Sequence, residues 1–201
     1  MAILYETERL QAVLVRPDHA QAMLSYEKRN KLFFSVTHPQ SYYTLGSFED
    51  ICRRQCALME EKRMFSLLFF KKNEHNHICC TVQLNQMVYG ISRSAKIGYS
   101  VDKDLICQGY GKESVSSVIR HAFDQLRLHR IEAHIMPANT ASLALASSVG
   151  FSEEGLCKSY LHINGRWEDH LRFSILNEQN VFKLPEGDFR FLYHNHGVST
   201  H

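Results

Sequence analysis

The chain has 201 residues, of which 44% are hydrophobic and 22% are charged, and its formal net charge is +2 at pH 7. This length and composition are typical of one α/β domain and leave little room for two. The small net charge argues against a general nucleic-acid-binding protein, which would carry a concentrated basic face. No apolar run approaches the ~20 residues that span a bilayer, so we expect a soluble protein with no membrane contact.

The first part of the chain predicts one strand followed by two helices. Residues 7–16 alternate well enough for a strand, and a Pro-Asp turn leads into a helix that reaches about residue 30. A second helix runs from Ser47 to about residue 62, because Ser47 and Asp50 resemble a capping box and apolar residues follow at helical spacing.

The middle of the chain predicts a hairpin and then a strand that leads into a glycine turn. Apolar runs at 64–70 and 78–87 flank a polar turn and are typical of paired strands. A further strand at 96–101 leads to Gly109 and Gly111 and then to an amphipathic helix. One stripe of that helix is apolar and predicts packing against a sheet: Val115, Val118, Ile119, Ala122, Phe123 and Leu126.

The last third predicts a strand, a short helix and a second hairpin. The strand is at 129–136, and the helix at 139–149 is ended by a glycine. Segments 156–163 and 167–175 flank Asn164-Gly165, a strong signal for a two-residue hairpin turn.

These elements predict a single mixed α/β domain at residues 1–177. Residues 178–201 turn polar and irregular, and we expect a loosely ordered tail there. The N-terminus lacks the features of a secretory signal, so we expect a cytoplasmic protein with free thiols. The six cysteines do not have the paired spacing of a zinc site: Cys52, Cys56, Cys79, Cys80, Cys107 and Cys157.

Residues 97–111 combine a strand, a glycine-rich turn and a helix start, an order typical of phosphate-binding sites. Amide groups at a helix N-terminus lack partners and carry partial positive charge, and Gly109 and Gly111 let the main chain approach an anion. Two glycines before a helix also fit a simple tight turn, so this segment gains weight only from the pattern downstream.

The downstream segment MPANTASLALASSVGFSEEGLCKSYLHINGRWEDH supplies that pattern, with a helix start at Asn139, a stop at Gly150-Phe151 and a turn at Glu154-Gly155. With these motifs, residues 5–176 resemble the GNAT superfamily of acetyl-CoA-dependent N-acetyltransferases, specifically its RimJ-like ribosomal-protein-alanine N-acetyltransferase branch. The resemblance implies the GNAT fold: a mixed, mostly antiparallel central sheet with helices on both faces and splayed fourth and fifth strands.

The resemblance also implies an acetyl-CoA site without a metal. The fourth strand would hydrogen-bond the pantetheine arm and hold the acetyl carbonyl, and the glycine turn would wrap the pyrophosphate with its amides. Ile106 stands where the family usually has Arg or Gln, so one side-chain contact is missing while the backbone cradle remains. The implied acetyl-CoA residues are Ile97, Gly98, Tyr99, Ser100, Val101, Ile106, Cys107, Gln108, Gly109, Tyr110, Gly111, Lys112, Asn139 and Ser142.

Two side chains are candidates for catalysis. Ser142 matches a serine that relatives place near the thioester sulfur, where it would protonate the departing thiolate; the tyrosine that many relatives use instead is replaced by Ala146. His134 stands where some alanine acetyltransferases of the superfamily carry a catalytic glutamate, and Glu132 would share its face. Helix capping for Asn139, helix packing for Ser142 and a structural role for His134 are the alternatives.

The last hairpin would form one wall of the acceptor groove, although its aromatic residues also suit a core. An α-amino group with a pKa of ~8 is neutral far more often than a lysine at ~10.4, so direct attack on acetyl-CoA in a ternary complex needs only a modest base. Together with this chemistry, the resemblance to the RimJ-like branch implies transfer to the N-terminus of a ribosomal or other protein. The groove residues are Tyr160, His162, Trp167 and Glu168.

Two other functions fit the same sequence. A small amine such as a polyamine, aminoglycoside or amino acid is a second acceptor class, for which a carboxylate-lined pocket would be expected from Glu49, Asp50, Glu60 and Glu61. A non-catalytic CoA-binding or ribosome-interaction protein is a third, favoured by Ile106 and Ala146. The sequence allows either a monomer or a homodimer.

Overall fold

One mixed sheet forms the centre of the computed structural model, which describes residues 2–35, 44–74 and 76–178. Neighbouring strands in the order β1-β2-β3-β4-β5-β6-β8-β7 are antiparallel, except that β5 and β6 are parallel. The predicted mixed, mostly antiparallel sheet is confirmed. The strands are β1 (Ile3–Glu6), β2 (Leu10–Leu14), β3 (Phe65–Lys71), β4 (Ile78–Val88), β5 (Ser94–Val101), β6 (Arg130–Ile135), β7 (Ser152–Ile163) and β8 (Arg166–Leu176).

Helices cover both faces of this sheet because its strands alternate apolar side chains between two cores. Leu67 and Phe69 of β3 point into a core that includes α3 residues, and Leu68 and Phe70 point into a second core with α1 and α2. All four are at most 1% exposed, and burial of each contributes roughly 1.5–3 kcal/mol. The helices are α1 (Ala20–Phe34), α2 (Leu45–Glu60), α3 (Tyr110–Asp124) and α4 (Thr140–Ser148).

The start of the chain differs most from the sequence prediction. The predicted strand at 7–16 is the shorter β2, and β1 was missed because its four residues are half-exposed or exposed and carry no clear period. α1 continues to Phe34, four residues past its predicted end. In the part of the chain that the structure describes, no helix is long and apolar enough to cross a membrane.

The predicted cap of α2 is wrong. Thr44 is the N-cap residue, and its hydroxyl accepts a hydrogen bond of 3.3 Å from the Ser47 amide. Ser47 and Asp50 imitate a capping box one turn inside the helix, which explains the error. Residues 179–201 lie outside the described residues, so the tail stays a prediction.

β5 and β6 diverge after a short paired segment. Their register covers Ser94–Lys96 of β5 against residues 130–132, after which β6 continues its pairing with β8 alone. The edge of β5 from Ile97 to Val101 that faces β6 therefore has no strand partner, while its other edge pairs with β4. The splayed strands are confirmed, and they are the fifth and sixth of the sheet because β1 precedes the predicted ones.

A buried carboxylate fixes the end of β5 to α1. The side chain of Asp102 is fully buried; its Oδ2 lies 2.6 Å from Arg29 Nη2 and accepts from Asn30 Nδ2, and its Oδ1 accepts from the Asp104 amide. Asn30 also accepts a hydrogen bond from the Lys103 amide. Burial by itself raises the pKa of Asp102, but the hydrogen bonds and the guanidinium outweigh it and hold the pKa below its ordinary value.

Replacing Asp102 by Asn keeps the shape of this anchor and removes its charge. We expect Asp102→Asn to lower the free energy of unfolding by about 3 kcal/mol, since the Arg29 guanidinium loses its buried partner. Urea unfolding measures the loss. Asp104→Asn, at a carboxylate that is 63% exposed, is the control and should cost less than ~0.5 kcal/mol. The difference between wild type and Asp102→Asn should be complete at neutral pH and shrink as the pH falls through the lowered pKa. Equal losses in the two variants would contradict the anchor.

Candidate active site

After β5 the chain forms the predicted glycine turn. A short 3-10 helix at Lys103–Leu105 is followed by Ile106 in an extended conformation, and Cys107 and Gly109 are left-handed, with φ of 59° and 84°. α3 begins at the next residue, Tyr110. Its first amides lack intrahelical partners and lie at the positive end of the helix dipole, so the turn offers a site for an anion.

The two glycines of the turn serve different purposes. Gly109 is required for its left-handed backbone. Gly111 is required for packing, since a Cβ there would lie 3.0 Å from Val101 Cγ2 and 3.1 Å from Leu145 Cδ2. Gly111 thus lets α3 approach β5 and α4 closely, a reason that differs from the predicted access to an anion.

The side chains of the glycine turn provide one exposed cation. Lys112 is exposed in the first turn of α3, whereas the Gln108 amide donates to the Asp104 carbonyl at 2.8 Å and stays within the turn. Ile106 is 42% exposed and offers no polar contact, and the Cys107 side chain is also exposed. An anion in this turn would meet backbone amides and a lysine.

An ion pair between Arg9 and Glu113, which the sequence analysis missed, fixes the glycine turn to the chain just before β2. The Glu113 carboxylate accepts hydrogen bonds from Thr7 Oγ1 at 2.5 Å and from the amide and Nε of Arg9, each at 2.7 Å. Arg9 also donates to the Gln108 carbonyl at 2.9 Å and lies 4.2 Å from the Tyr110 ring centroid. The pair cancels a carboxylate that would otherwise oppose an anion at the start of α3.

Asn139 and Ser142 are brought against Tyr99 of the splayed strand. Asn139 caps α4, since its Oδ1 accepts from the Ser142 amide at 3.1 Å. Ser142 Oγ donates to the Tyr99 hydroxyl at 2.9 Å, and that hydroxyl donates to the Ser142 carbonyl at 3.1 Å. Burial raises the pKa of Tyr99, which stays a neutral phenol. The sequence analysis assigned Tyr99 a backbone role only, and its hydroxyl is an addition to the site.

The other side chains of the splayed segment of β5 (97–101) point away from the gap between β5 and β6 or are buried in a core. Ser100 is 8% exposed and hydrogen-bonds Tyr26 and Thr81 on the α1 side, at 2.9 and 2.8 Å. Ile97 is buried in the core beneath α3, and Ala146 of α4 is fully buried. The main chain of the segment is what remains available for a ligand.

A second cluster lies on the opposite face of the sheet, around His134 of β6. The His134 ring stacks on Tyr160, with 4.4 Å between the ring centroids and 9° between their planes. Tyr160 accepts a hydrogen bond of 2.7 Å from Lys96 Nζ, and Glu132 Oε2 lies 3.8 Å from His134 Nε2. Burial lowers the pKa of His134, and the Lys96 charge lowers it further, so the imidazole is neutral at physiological pH. The predicted common face of His134 and Glu132 is confirmed.

A bulge in β7 brings Tyr160 to this cluster. The pairing of β7 with β8 shifts between the pairs Cys157–His170 and Leu161–Glu168. Ser159 within the bulge has φ of 48°. Bulges bend a strand and re-aim its side chains, which places Tyr160 over β6.

Glu132 and its neighbour Glu154 are held by arginines. Arg130 Nε lies 2.7 Å from Glu132 Oε1, and its two terminal nitrogens bind both oxygens of Glu154. Arg172 Nε is 3.0 Å from Glu154. Hydrogen bonds from Arg130 and Ser174 lower the pKa of Glu154 to about 2. Glu154 is therefore ionised, and both carboxylates are already paired with arginines.

The tip of the last hairpin is exposed. Asn164 and Gly165 have φ of 50° and 86° and form the predicted two-residue turn, and Asn164 Nδ2 donates to the Ser35 carbonyl at the end of α1 at 2.8 Å. Trp167 is 65% exposed and packs edge-on against His162, with centroids 5.4 Å apart. Core packing is therefore wrong for Trp167. Glu168 is half-buried beside this pair.

The carboxylates considered for a polyamine pocket lie on the surface of α2. Asp50 and Glu49 pair with Arg53, at 2.6 and 4.0 Å, and Glu61 pairs with Arg63 at 3.0 Å. The side chains of Glu49, Asp50 and Glu61 are between 46% and 77% exposed, and Glu60 is also exposed. The structure does not gather them into a pocket.

The six cysteines are free thiols, as predicted. Burial raises the pKa of Cys79 to about 11 and that of Cys80 to about 12, so both are weak nucleophiles. Within residues 2–35, 44–74 and 76–178, no group of three or more His, Cys, Asp or Glu side chains is placed to hold a metal ion.

Comparison with known proteins places this geometry among acetyltransferases. Residues 9–152 match the family model described as an acetyltransferase (GNAT) domain. The chain is 34% identical over 172 residues to the probable N-acetyltransferase YjcK of Bacillus subtilis (strain 168), covering 82% of this chain and 94% of that protein. It is 27% identical over 170 residues to the ribosomal protein uS5-alanine N-acetyltransferase of Escherichia coli (strain K12), covering 82% and 86%. The solved structure of Mycobacterium smegmatis RimJ in complex with CoA-disulfide has a TM-score of 0.79 and 29% identity, covering 85% of this chain and 83% of that one.

Proposed function

The chain belongs to the GNAT acetyltransferase family and is an N-acetyltransferase, and from this premise we propose that it transfers acetyl from acetyl-CoA to the N-terminal α-amino group of a ribosomal or other protein. The observation that carries the proposal is the unpaired edge of β5 from Ile97 to Val101, flanked by the glycine turn at one end and by the start of α4. Relatives named as ribosomal-protein acetyltransferases support a protein acceptor.

The donor half of the site suits acetyl-CoA. The amides at the start of α3 and the exposed Lys112 would bind the pyrophosphate, and the free edge of β5 would hydrogen-bond the pantetheine arm as a strand does. Asn139 would contact the same arm. The RimJ of Mycobacterium smegmatis, which shares this fold, is solved with CoA-disulfide, which supports the assignment.

The chemistry needs little from side chains once the reactants are positioned. Amides of the splayed segment would stabilise the negative charge that develops on the thioester oxygen, and holding both reactants removes much of the entropic barrier. The acceptor attacks as a neutral amine, and its nitrogen loses a proton after the new bond to the acetyl carbon forms. His134, neutral and on the acceptor side of β6, would take that proton through water.

Ser142 is the candidate that protonates the departing CoA thiolate. Its hydroxyl lies at the start of α4 beside β5 and is held by the Tyr99 phenol. Ala146, where many relatives have a tyrosine, is buried and has no polar group, so the proposal assigns the acid role to Ser142, which Tyr99 holds.

The acceptor groove would run along the last hairpin. Tyr160 forms its floor beside His134, and the exposed Trp167 with His162 and Glu168 forms its outer wall. The surface position and arginine pairing of the α2 carboxylates support a peptide over a polyamine.

The proposed reaction is tested by offering the chain acetyl-CoA together with short peptides that start with Ala or Ser, and with spermidine in parallel. We expect thiol release with the peptides and a mass gain of one acetyl group on their N-termini. A peptide library with mass-spectrometric readout then ranks the acceptors. Absence of CoA binding by calorimetry at millimolar ligand would overturn the proposal.

The glycine turn is tested by Gly109→Val, which forces a β-branched residue into a left-handed backbone. We expect the affinity for CoA, measured by calorimetry, to fall by about tenfold or more, since a loss of ~1.4 kcal/mol already corresponds to tenfold. Gly46→Val is the matched control, because a Cβ at Gly46 meets nothing within 4 Å. An unchanged affinity in folded Gly109→Val would refute the placement of the pyrophosphate.

The role of Ser142 is tested by steady-state kinetics with saturating acetyl-CoA. Loss of a general acid costs about a hundredfold, so we expect Ser142→Ala to lower kcat by that order, and Tyr99→Phe to lower it less. The double variant should be no slower than Ser142→Ala, because both act through one hydroxyl. Ser148→Ala, at an exposed serine of α4, is the control. Additive losses would show that Ser142 and Tyr99 act independently, and a wild-type kcat in Ser142→Ala would remove Ser142 from the mechanism.

A further inference from the structure

Lys96 stands at the point where β5 and β6 part. It is the last β5 residue in register with β6, opposite Glu132. Its neighbours Ala95 and Ile97 point into the core beneath α3, so alternation places the Lys96 side chain on the other face, with His134. Gly98, two residues on, shares that face at the start of the splayed segment.

The Lys96 ammonium is held by a hydroxyl. Its Nζ donates to the Tyr160 hydroxyl at 2.7 Å and lies 5.3 Å from the centroid of that ring. Among the residues that the structure describes, no carboxylate lies within 4.0 Å of it. Tyr160 is itself fixed by the β7 bulge and by its stack on His134. The ammonium therefore has a fixed position and no direct carboxylate partner among the described residues.

Several charged and titratable groups surround Lys96 and His134. Glu132 and Glu154 are both bound by arginines, and β4 contributes uncharged side chains on this face, including Gln83 and Asn85. Among the described residues, the charged and titratable groups of the neighbouring strands on this face are Arg130, Glu132 and His134 on β6, Glu154 and Tyr160 on β7, and Glu168, His170 and Arg172 on β8. On the same side of the sheet, α1 carries the half-buried Glu27, whose pKa burial raises to about 7. An amine that reaches Tyr160 on this face therefore comes close to the Lys96 ammonium, which no described carboxylate contacts directly.

A fixed cation beside an amine favours the neutral form of that amine, as it does in enzymes that activate a lysine next to a second cation. The same cation repels an acceptor that carries a second ammonium group. We propose that Lys96 determines acceptor specificity, favouring a single weakly basic amine such as a peptide α-amino group over a polyamine. This inference rests on the proposed function, since it concerns the acceptor of that reaction.

The pH dependence of kcat, with acetyl-CoA and an Ala-starting peptide both saturating, tests the inference, because kcat reports the ionisation of the bound amine. Lys96→Met should move the rising limb of the profile to higher pH by about one unit, equivalent to tenfold in the neutral amine, and leave the high-pH plateau within a few-fold. Lys96→Arg keeps the charge and should keep the wild-type midpoint. Lys158→Met, at an exposed lysine of β7, is the control. A lower plateau with an unmoved midpoint would show a merely structural role and overturn the inference.

A second readout does not need turnover. The His134 imidazole, assigned by comparison with His134→Gln, is titrated by NMR in wild type and Lys96→Met. We expect its pKa to rise when the charge is removed, and an unchanged pKa overturns the inference. If wild type acetylates no peptide but the His134 pKa rises in Lys96→Met, the proposed function fails while the field of Lys96 stands.

A third test compares two acceptors, spermidine and the peptide. The ratio of kcat/KM for spermidine to that for the peptide should rise at least about tenfold in Lys96→Met and stay low in Lys96→Arg. Spermidine acetylation by wild type at the rate found with the peptide would overturn the inference.

Discussion

The structure depends on a strand that is paired on only one edge over most of its length. β5 pairs with β6 for three residues and then leaves a row of main-chain groups facing a gap. Unpaired backbone groups are costly to bury, so such a gap persists only where both ends of the strand are fixed and solvent or a ligand reaches it. The paired segment ending at Lys96 fixes one end, and the buried Asp102 with Arg29 fixes the other.

The gap separates two chemical environments on the two faces of the sheet. On the α3 side lie a helix N-terminus, a glycine turn and the Ser142 hydroxyl, all suited to a large anion with a thioester. On the other side lie a neutral imidazole and an ammonium, suited to an amine. Each side of the gap is therefore suited to one of the two reactants of the proposed transfer.

Local patterns predicted much of the proposed donor half and the tip of the last hairpin. The glycine turn, the Asn139 cap and the Asn164-Gly165 hairpin depend on residues a few positions apart, and the structure places all three as predicted. The cap of α2 failed because two local motifs competed within one turn, and β1 failed because four exposed residues carry too little pattern. The contacts that complete the site join residues far apart in sequence: Arg9 and Glu113 are separated by 104 positions, Arg29 and Asp102 by 73, and Lys96 and Tyr160 by 64. No periodicity or spacing rule reaches across such distances, and only the register of the sheet brings these pairs together.

The β7 bulge allows the side chain on one wall of the proposed acceptor groove to change. Pairing with β8 resumes at Leu161 after stopping at Cys157, so the residues between them project from the ladder without setting its register. A side chain at position 160 can therefore change in size or polarity while the strands on either side keep their partners. Through this feature the proposed acceptor side could vary without a change in β5 and α3, where the proposed donor side lies.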